Sequence, residues 1–228
     1  MARSTVVVVT GLQAEARAVR LHLDQTIAGG GDPIRLEREL ERALSDGAEA
    51  VLSFGLAAGL QAGRRPGTLV IPIEVVSGTA RYPTDSRWSE RMRDLVGGAD
   101  AGLIAGVDAP LLRPADKAQL HHSTGAIAAD MESHLAARLA QQAARPFAAV
   151  RVISDPAERS LPPAAAIGMK PDGSVNAVEV LFCLLRDPRQ LPDLVRVAGE
   201  ARTAMRVLKR CRRALGPDLG WAHSASQV

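Results

Sequence analysis

The stretch Ala126-Ile127-Ala128-Ala129-Asp130-Met131-Glu132-Ser133-His134 decides the fold. A run of small apolar residues, of the length of a buried strand, ends on two carboxylates around a methionine, and a helical pattern from Ser133 to Ala144 begins at once. In open α/β sheets, ligands bind at the strand ends where helices begin. Read alone, the acids also have a plain structural use. Asp130 or Ser133 can cap the helix, and a carboxylate near a helix N-terminus gains a few tenths to about 1 kcal/mol from its dipole. A second stretch has the same design: Ala148-Ala149-Val150-Arg151-Val152-Ile153-Ser154-Asp155-Pro156 is another β-rich apolar run that closes on a carboxylate. Two such strand ends point to one pocket.

Upstream, Thr5 to Thr10 reads as a strand, Val-rich and central because nothing polar interrupts it. Gly11-Leu12-Gln13-Ala14-Glu15 turns it into a helix with Glu15 in its first turn and Ala16, Val19 and Leu23 on its apolar side. After Gly29-Gly30-Gly31, Asp32 is placed to cap the next helix and Pro33 takes its first position; Asp46-Gly47 stops it. Ala50 to Phe54 is a second buried strand, closing on Gly55-Leu56-Ala57-Ala58-Gly59. Small residues there either admit a ligand to the backbone or make a tight turn. Thr68 to Val76 is a further strand, with Pro72 marking an edge or bulge. Ser77 to Trp88, carrying Tyr82-Pro83-Thr84-Asp85, reads as a binding loop or lid.

Downstream, the pattern predicts a short helix over Ser89–Val96, a strand over Ala101–Val107 leaving through Asp108-Ala109-Pro110-Leu111-Leu112, and a short helix over Pro114–His121. His121 and His122 read as surface histidines. Prolines 156, 162, 163 and 171 rule out a long helix through their segment; helices are expected at Val175–Leu185 and Leu191–Ala214, with a frayed tail after Gly216. Strands alternating with helices predict a three-layer α/β/α sandwich with a mixed, mostly parallel central sheet, in one domain over residues 1–215.

The chain has 228 residues, 46% of them apolar and 23% charged, as in soluble globular proteins. Aromatic residues make up 3%, which argues against a nucleic-acid surface built on stacking rings. Cys183 and Cys211 have no partner spacing for a metal or a disulfide framework and read as packing residues of a reducing compartment. No run reaches the roughly 18 apolar residues of a membrane span, so a cytoplasmic location is expected. The formal charge of +3 is uneven: from Arg186 to Val228 nine Lys or Arg face four Asp or Glu, a net of +5, leaving −2 for the rest.

Several of these stretches carry a family resemblance. Met131-Glu132 with Ser154-Asp155 resembles the nucleoside phosphorylase and nucleosidase superfamily, which includes purine and uridine phosphorylases and the methylthioadenosine/S-adenosylhomocysteine nucleosidases. Thr10-Gly11-Leu12-Gln13-Ala14-Glu15-Ala16-Arg17, Gly29-Gly30-Gly31-Asp32, Ser53-Phe54-Gly55, Gly106-Val107-Asp108-Ala109-Pro110, Ser160-Leu161-Pro162-Pro163 and Gly168-Met169-Lys170-Pro171-Asp172-Gly173 resemble its hopanoid-associated phosphorylase group. That group is implicated in removing adenine from adenosylhopane, a bacterial triterpenoid intermediate.

The resemblance implies a chemistry. Breaking an N-glycosidic bond builds positive charge on the ribose and negative charge on the leaving purine, so the site needs a carboxylate near the sugar and an acid near the base. By resemblance, Glu132 takes the ribose hydroxyls, Met131 packs against the sugar, Glu15 holds or activates the attacking water, and Asp155, oriented by Ser154, protonates or hydrogen-bonds N7 of adenine. As a proton donor near pH 7, Asp155 would need its pKa raised by roughly 3 units, which burial and a neighbouring carboxylate could supply. Ser53, Phe54, Gly55, Tyr82, Pro110 and Leu111 are the further substrate-binding candidates, the last two offering aliphatic faces where many relatives place an aromatic ring. Gly31-Asp32-Pro33-Ile34-Arg35 matches the phosphate loop of the phosphorylases but follows the first helix, so it reads as a capped helix start; Arg35 is the candidate should phosphate bind.

No metal or other cofactor is expected, apart from inorganic phosphate as co-substrate of a phosphorylase. The partners implied are a small-molecule nucleoside with a hydrophobic lipid portion, further copies of the chain in a homo-oligomer, and no nucleic acid. Arg202, Arg206, Lys209, Arg210, Arg212 and Arg213 share a helix with Met205, Val207 and Leu208, which either borders the core as a solvated helix or contacts anionic lipid at the inner membrane face. Rival readings are phosphorolysis, a nucleoside-binding protein without turnover, and a nucleic-acid-binding module resting on the basic tail.

Overall fold

Four consecutive valines set the centre of the molecule. The computed structural model describes residues 6–19, 26–162 and 190–221. In it β1 (Val6–Thr10) is buried along its whole length, with Val7 and Val9 in one core and Val6 and Val8 in another. A strand that is apolar on both faces needs a cover on each. Helices α2 (Pro33–Ser45) and α5 (Ser133–Gln142) supply the first cover through Leu36, Leu40, Leu135 and Leu139. Helices α1 (Gln13–Val19), α3 (Ser86–Val96) and α6 (Leu191–Ala214) supply the second through Val19, Trp88, Met92, Ala204 and Leu208. The expected three-layer α/β/α sandwich is the observed fold.

Among the described residues the sheet has nine strands. Its main path runs β2 (Thr26–Ala28), β1, β3 (Ala50–Gly59), β8 (Ala128–Asp130), β7 (Leu103–Gly106), β5 (Glu74–Ser77), β6 (Ala80–Pro83), while β9 (Phe147–Asp155) pairs with β3 and β4 (Leu69–Val70). The β1·β2, β1·β3, β3·β9, β5·β7 and β7·β8 pairings are parallel; β3·β8, β4·β9 and β5·β6 are antiparallel. A further helix, α4 (Pro114–Thr124), precedes β8.

Several local expectations are corrected. Gly55–Gly59 is the second half of β3, not a turn, because its small residues stay extended beside β9. Pro72 divides the predicted 68–76 strand into β4 and β5, which pair with different neighbours. The predicted lid from Ser77 begins as a β-hairpin: Gly78, at φ +56°, makes a two-residue turn that pairs Ser77 with Ala80 and Val75 with Tyr82. The strand β2 was not foreseen. The frayed tail does not start at Gly216, since Leu219 is fully buried, its carbonyl accepts Trp88 Nε1–H at 2.9 Å, and Trp221 meets Trp88 edge-on with centroids 4.8 Å apart. Arg212 does not belong to a lipid-facing strip, because it is buried and donates to the carbonyls of Val19 and Gly216; Arg202, Arg206, Lys209, Arg210 and Arg213 are exposed. Cys211 is buried, which pushes its thiol up to about 12 and leaves it a packing residue. Leu23, Cys183 and the predicted 175–185 helix lie outside the described residues.

Candidate active site

At the C-terminal ends of β1, β3, β8 and β9 the chain forms an open cavity of about 390 Å³, within the size range of small-molecule sites. Glu15, Glu132 and Asp155 all line it, together with Met131, Ser154, Pro110 and Leu111. Asp130 lines it too, and the rest of the wall is largely apolar, with Leu12, Leu56, Ala58 and Leu161 joined by Val197 and Ala201 of α6.

Glu15 arrives in the first turn of α1. Its Oε2 accepts the N–H groups of Gly11 at 2.9 Å and Leu12 at 2.8 Å, and its Oε1 accepts that of Leu56 on β3 at 2.8 Å. Burial raises its pKa even against these three donors and the nearby Arg151 guanidinium. Two glycines make room for the acids. A Cβ on Gly55 would lie 2.9 Å from the Glu15 carboxyl, and one on Gly11 would lie 2.8 Å from Glu132 Oε1. Neither glycine has a positive φ, so close approach is what requires them.

Glu132 stands where β8 passes into α5. Burial and the Asp130 charge push it up to about 8, while Arg151 acts in the opposite direction. Asp130 lies two residues before the N-cap Glu132 of α5 and satisfies the helix start from there: its Oδ2 accepts Ser133 N–H at 2.8 Å and Glu132 N–H at 3.2 Å. It also pairs with Arg151, whose Nη2 donates further to Ser53 Oγ at 2.6 Å and Ser133 Oγ at 3.0 Å. A fully buried guanidinium thus lies under Glu15, Glu132 and Asp130.

A β-bulge aims Asp155. Between Ala57 and Ala58 of β3 the register jumps from Ile153 to Asp155, leaving Ser154 as the extra residue on β9. Ser154 Oγ lies 2.8 Å from Asp155 Oδ1 and 3.2 Å from the Ala57 carbonyl. Asp155 is buried, as expected, but the neighbour on its other oxygen is not a carboxylate. Lys117 Nζ of α4 donates to Asp155 Oδ2 at 2.5 Å.

Other candidates lie off the cavity. Phe54 follows the period-2 alternation of β3 into the core shared with Leu52, and Ser53 serves Arg151. Gly55 acts by the space it leaves. Tyr82, on the hairpin, borders a separate hollow with Ala137, Gln141 and Phe147. Arg35 Nη2 donates to the carbonyls of Ala28 and Gly29, and Asp32 caps α2 by accepting Arg35 N–H at 2.9 Å. His121 Nδ1 meets the Ala126 carbonyl at 2.7 Å, whereas His122 is exposed. Among the described residues no group of three or more His, Cys, Asp or Glu side chains is arranged to hold a metal ion.

The sequence reading missed Arg151, Lys117 and the cavity residues Leu161, Val197 and Ala201. Arg151 did leave a signal, since a charge inside the apolar run 148–153 must be paired. Lys117 left none.

A parallel-centred sandwich with carboxylates gathered at its strand ends defines a class, and residues 32–177 match the phosphorylase superfamily. The chain belongs to that superfamily and is an enzyme of the nucleosidase or nucleoside phosphorylase kind. No curated protein matches it. Among solved structures, it is similar to the 5′-methylthioadenosine/S-adenosylhomocysteine nucleosidase of Neisseria meningitidis in complex with methylthio-immucillin-A, at 16% identity and a TM-score of 0.69 over 93% of this chain and 98% of that one. The corresponding Streptococcus pneumoniae nucleosidase with a transition-state inhibitor gives 14% and 0.65 over 92% and 99%. The futalosine hydrolase of Helicobacter pylori gives 15% and 0.56 over 66% and 87%.

Proposed function

We propose that the protein hydrolyses the N-glycosidic bond of an adenine nucleoside carrying an apolar 5′ substituent, with adenosylhopane of hopanoid biosynthesis as its substrate. The observation that carries this reading is that Glu15, Glu132 and Asp155 line one cavity whose remaining wall is largely aliphatic. In the proposed mechanism Glu132 holds the ribose hydroxyls and offsets the oxocarbenium charge. Met131 packs on the sugar, and Pro110 and Leu111 offer faces to the base. Glu15, fixed by three backbone donors, positions the attacking water. Asp155 delivers a proton to N7 as the base departs.

Hydrolysis is favoured over phosphorolysis because a phosphate dianion entering the cavity would meet the carboxyl groups of Glu15, Asp130, Glu132 and Asp155, while Arg35 is engaged by backbone carbonyls. The test is adenine release from adenosine, 5′-hexylthioadenosine and adenosylhopane, with and without phosphate. Release should not depend on phosphate, should rise with the apolar substituent, and should be lost in Asp155→Asn. A requirement for phosphate would overturn hydrolysis, and full activity of Asp155→Asn would overturn the site.

A further inference from the structure

Helix α4 turns a lysine inward. Lys117 is its one fully buried residue, and the side chain has no exposed surface. All three ammonium hydrogens have acceptors: Asp155 Oδ2 at 2.5 Å, the Pro156 carbonyl at 3.0 Å and the Arg159 carbonyl at 3.1 Å. Docking a helix through a buried cation costs desolvation that an apolar residue of similar volume would avoid. The carboxylate it meets is the one that faces the cavity. The other oxygen of Asp155 meets Ser154 Oγ at 2.8 Å, and the Lys117 ammonium is the cationic proton donor in contact with the carboxyl. The other charges nearby are engaged elsewhere: Arg159 pairs with Glu200 of α6 at 2.6 Å, Glu158 accepts Gly63 N–H at 3.0 Å, and on α4 itself Arg113 pairs with Asp116 at 2.7 Å.

We propose that Lys117 is a positioning residue of the site, fixing the Asp155 carboxyl and feeding it the proton that the departing base takes up. The inference rests on the role given to Asp155 above. A bound nucleoside displaces water from the cavity, and in a dry site an ammonium–carboxylate pair moves toward the neutral amine and carboxylic acid. The Lys117 ammonium passes a proton to Asp155, and Asp155 passes its proton to N7. The bond between C1′ and the base breaks with its electron pair going to the base. The water oxygen bonds to C1′ and its proton goes to Glu15. After the products leave, Glu15 releases that proton to solvent, and the Lys117 amine regains one from solvent through Asp155.

Lys117→Arg and Lys117→Met separate this role from a structural brace. Arginine keeps the charge and the hydrogen bonds but does not give up its proton, so the relay predicts a fall in kcat of about 10²- to 10⁴-fold for adenine release from 5′-hexylthioadenosine, with KM within about threefold. Methionine should give a similar loss of kcat together with a lower Tm, because it leaves the Asp155 carboxyl and two carbonyls without their donor. In Lys117→Ala, methylammonium should restore part of kcat and guanidinium should not. Activity of Lys117→Arg within about threefold of wild type overturns the proposal, as does rescue by guanidinium. If Lys117→Met fails to fold, the arginine variant decides alone. Asp155→Asn is run beside them: its full activity means that the reading of the site has failed, whereas its inactivity beside an active Lys117→Arg means that only the role of Lys117 has.

Discussion

At Gly55 a Cβ atom would stand 2.9 Å from the carboxyl that the Leu56 N–H holds in place. Gly55→Ala should therefore push Glu15 off Leu56 and lower kcat by roughly tenfold or more, at a stability cost of about 1–3 kcal/mol for overpacking. Wild-type kcat in that variant would show that Glu15 is not used. Glu132 supports a second prediction, in which stability and activity run in opposite directions with pH. Its pKa is about 8 in the folded chain against an ordinary 4.5, so between those values the folded state binds more protons than the unfolded state. Its contribution to stability is complete below about pH 4.5, falls as pH rises, and is gone above about pH 8. Activity needs the ionised form, so kcat/KM should rise through about pH 8. Melting curves from pH 5 to 9 should slope downward, and Glu132→Gln should flatten that slope; an equal slope in the variant would sink the assignment. At this scale the acids were legible because a carboxylate ending an apolar strand is conspicuous. Lys117 was not, because its partner lies 38 positions away and no local spacing connects them.

Elements were legible where one residue type imposed one geometry. Asp32-Pro33 announced α2, and Asp130 announced the start of α5. The errors fall where small residues leave the backbone a choice. Gly55-Leu56-Ala57-Ala58-Gly59 has turn composition, yet it pairs with β9 and, at Ala58 and Gly59, with β8, so it remains a strand. The bulge at Ser154 could not be read from the sequence, because Ile153-Ser154-Asp155 keeps a regular β pattern. The offset appears only when Ala57 and Ala58 are laid beside it. That offset connects sheet geometry to chemistry, since it sends Asp155 into the cavity and leaves Ser154 Oγ beside it. Likewise, the basic pattern of α6 suggested an outer surface, whereas Val197 and Ala201 give its first half to the cavity and Ala204, Leu208 and Cys211 give its second half to the core.

Across the whole molecule, the two faces of the valine-rich sheet have separate cores, and the cavity lies at the strand ends between the helices covering them. The α6 side depends on the end of the described chain. Leu219 is fully buried in the same cluster as Trp88, Met92 and Leu215, its carbonyl takes the Trp88 indole N–H, and Trp221 covers the Trp88 ring. Ending the chain at Leu215 should uncover Trp88 and Met92 and leave the indole donor without its carbonyl. Compared with a chain ending at Trp221, the loss should be about 3–5 kcal/mol, which for a protein of this size lowers Tm by about 10 °C. Because Leu208 and Cys211 lie on the helix that also supplies Val197 and Ala201, KM for a substrate with an apolar 5′ group should rise together with the loss of stability. Equal Tm values for the two truncations would show that residues 216–221 contribute nothing to the core, and a lower Tm with unchanged KM would show that the cavity wall is held independently of the far end of α6.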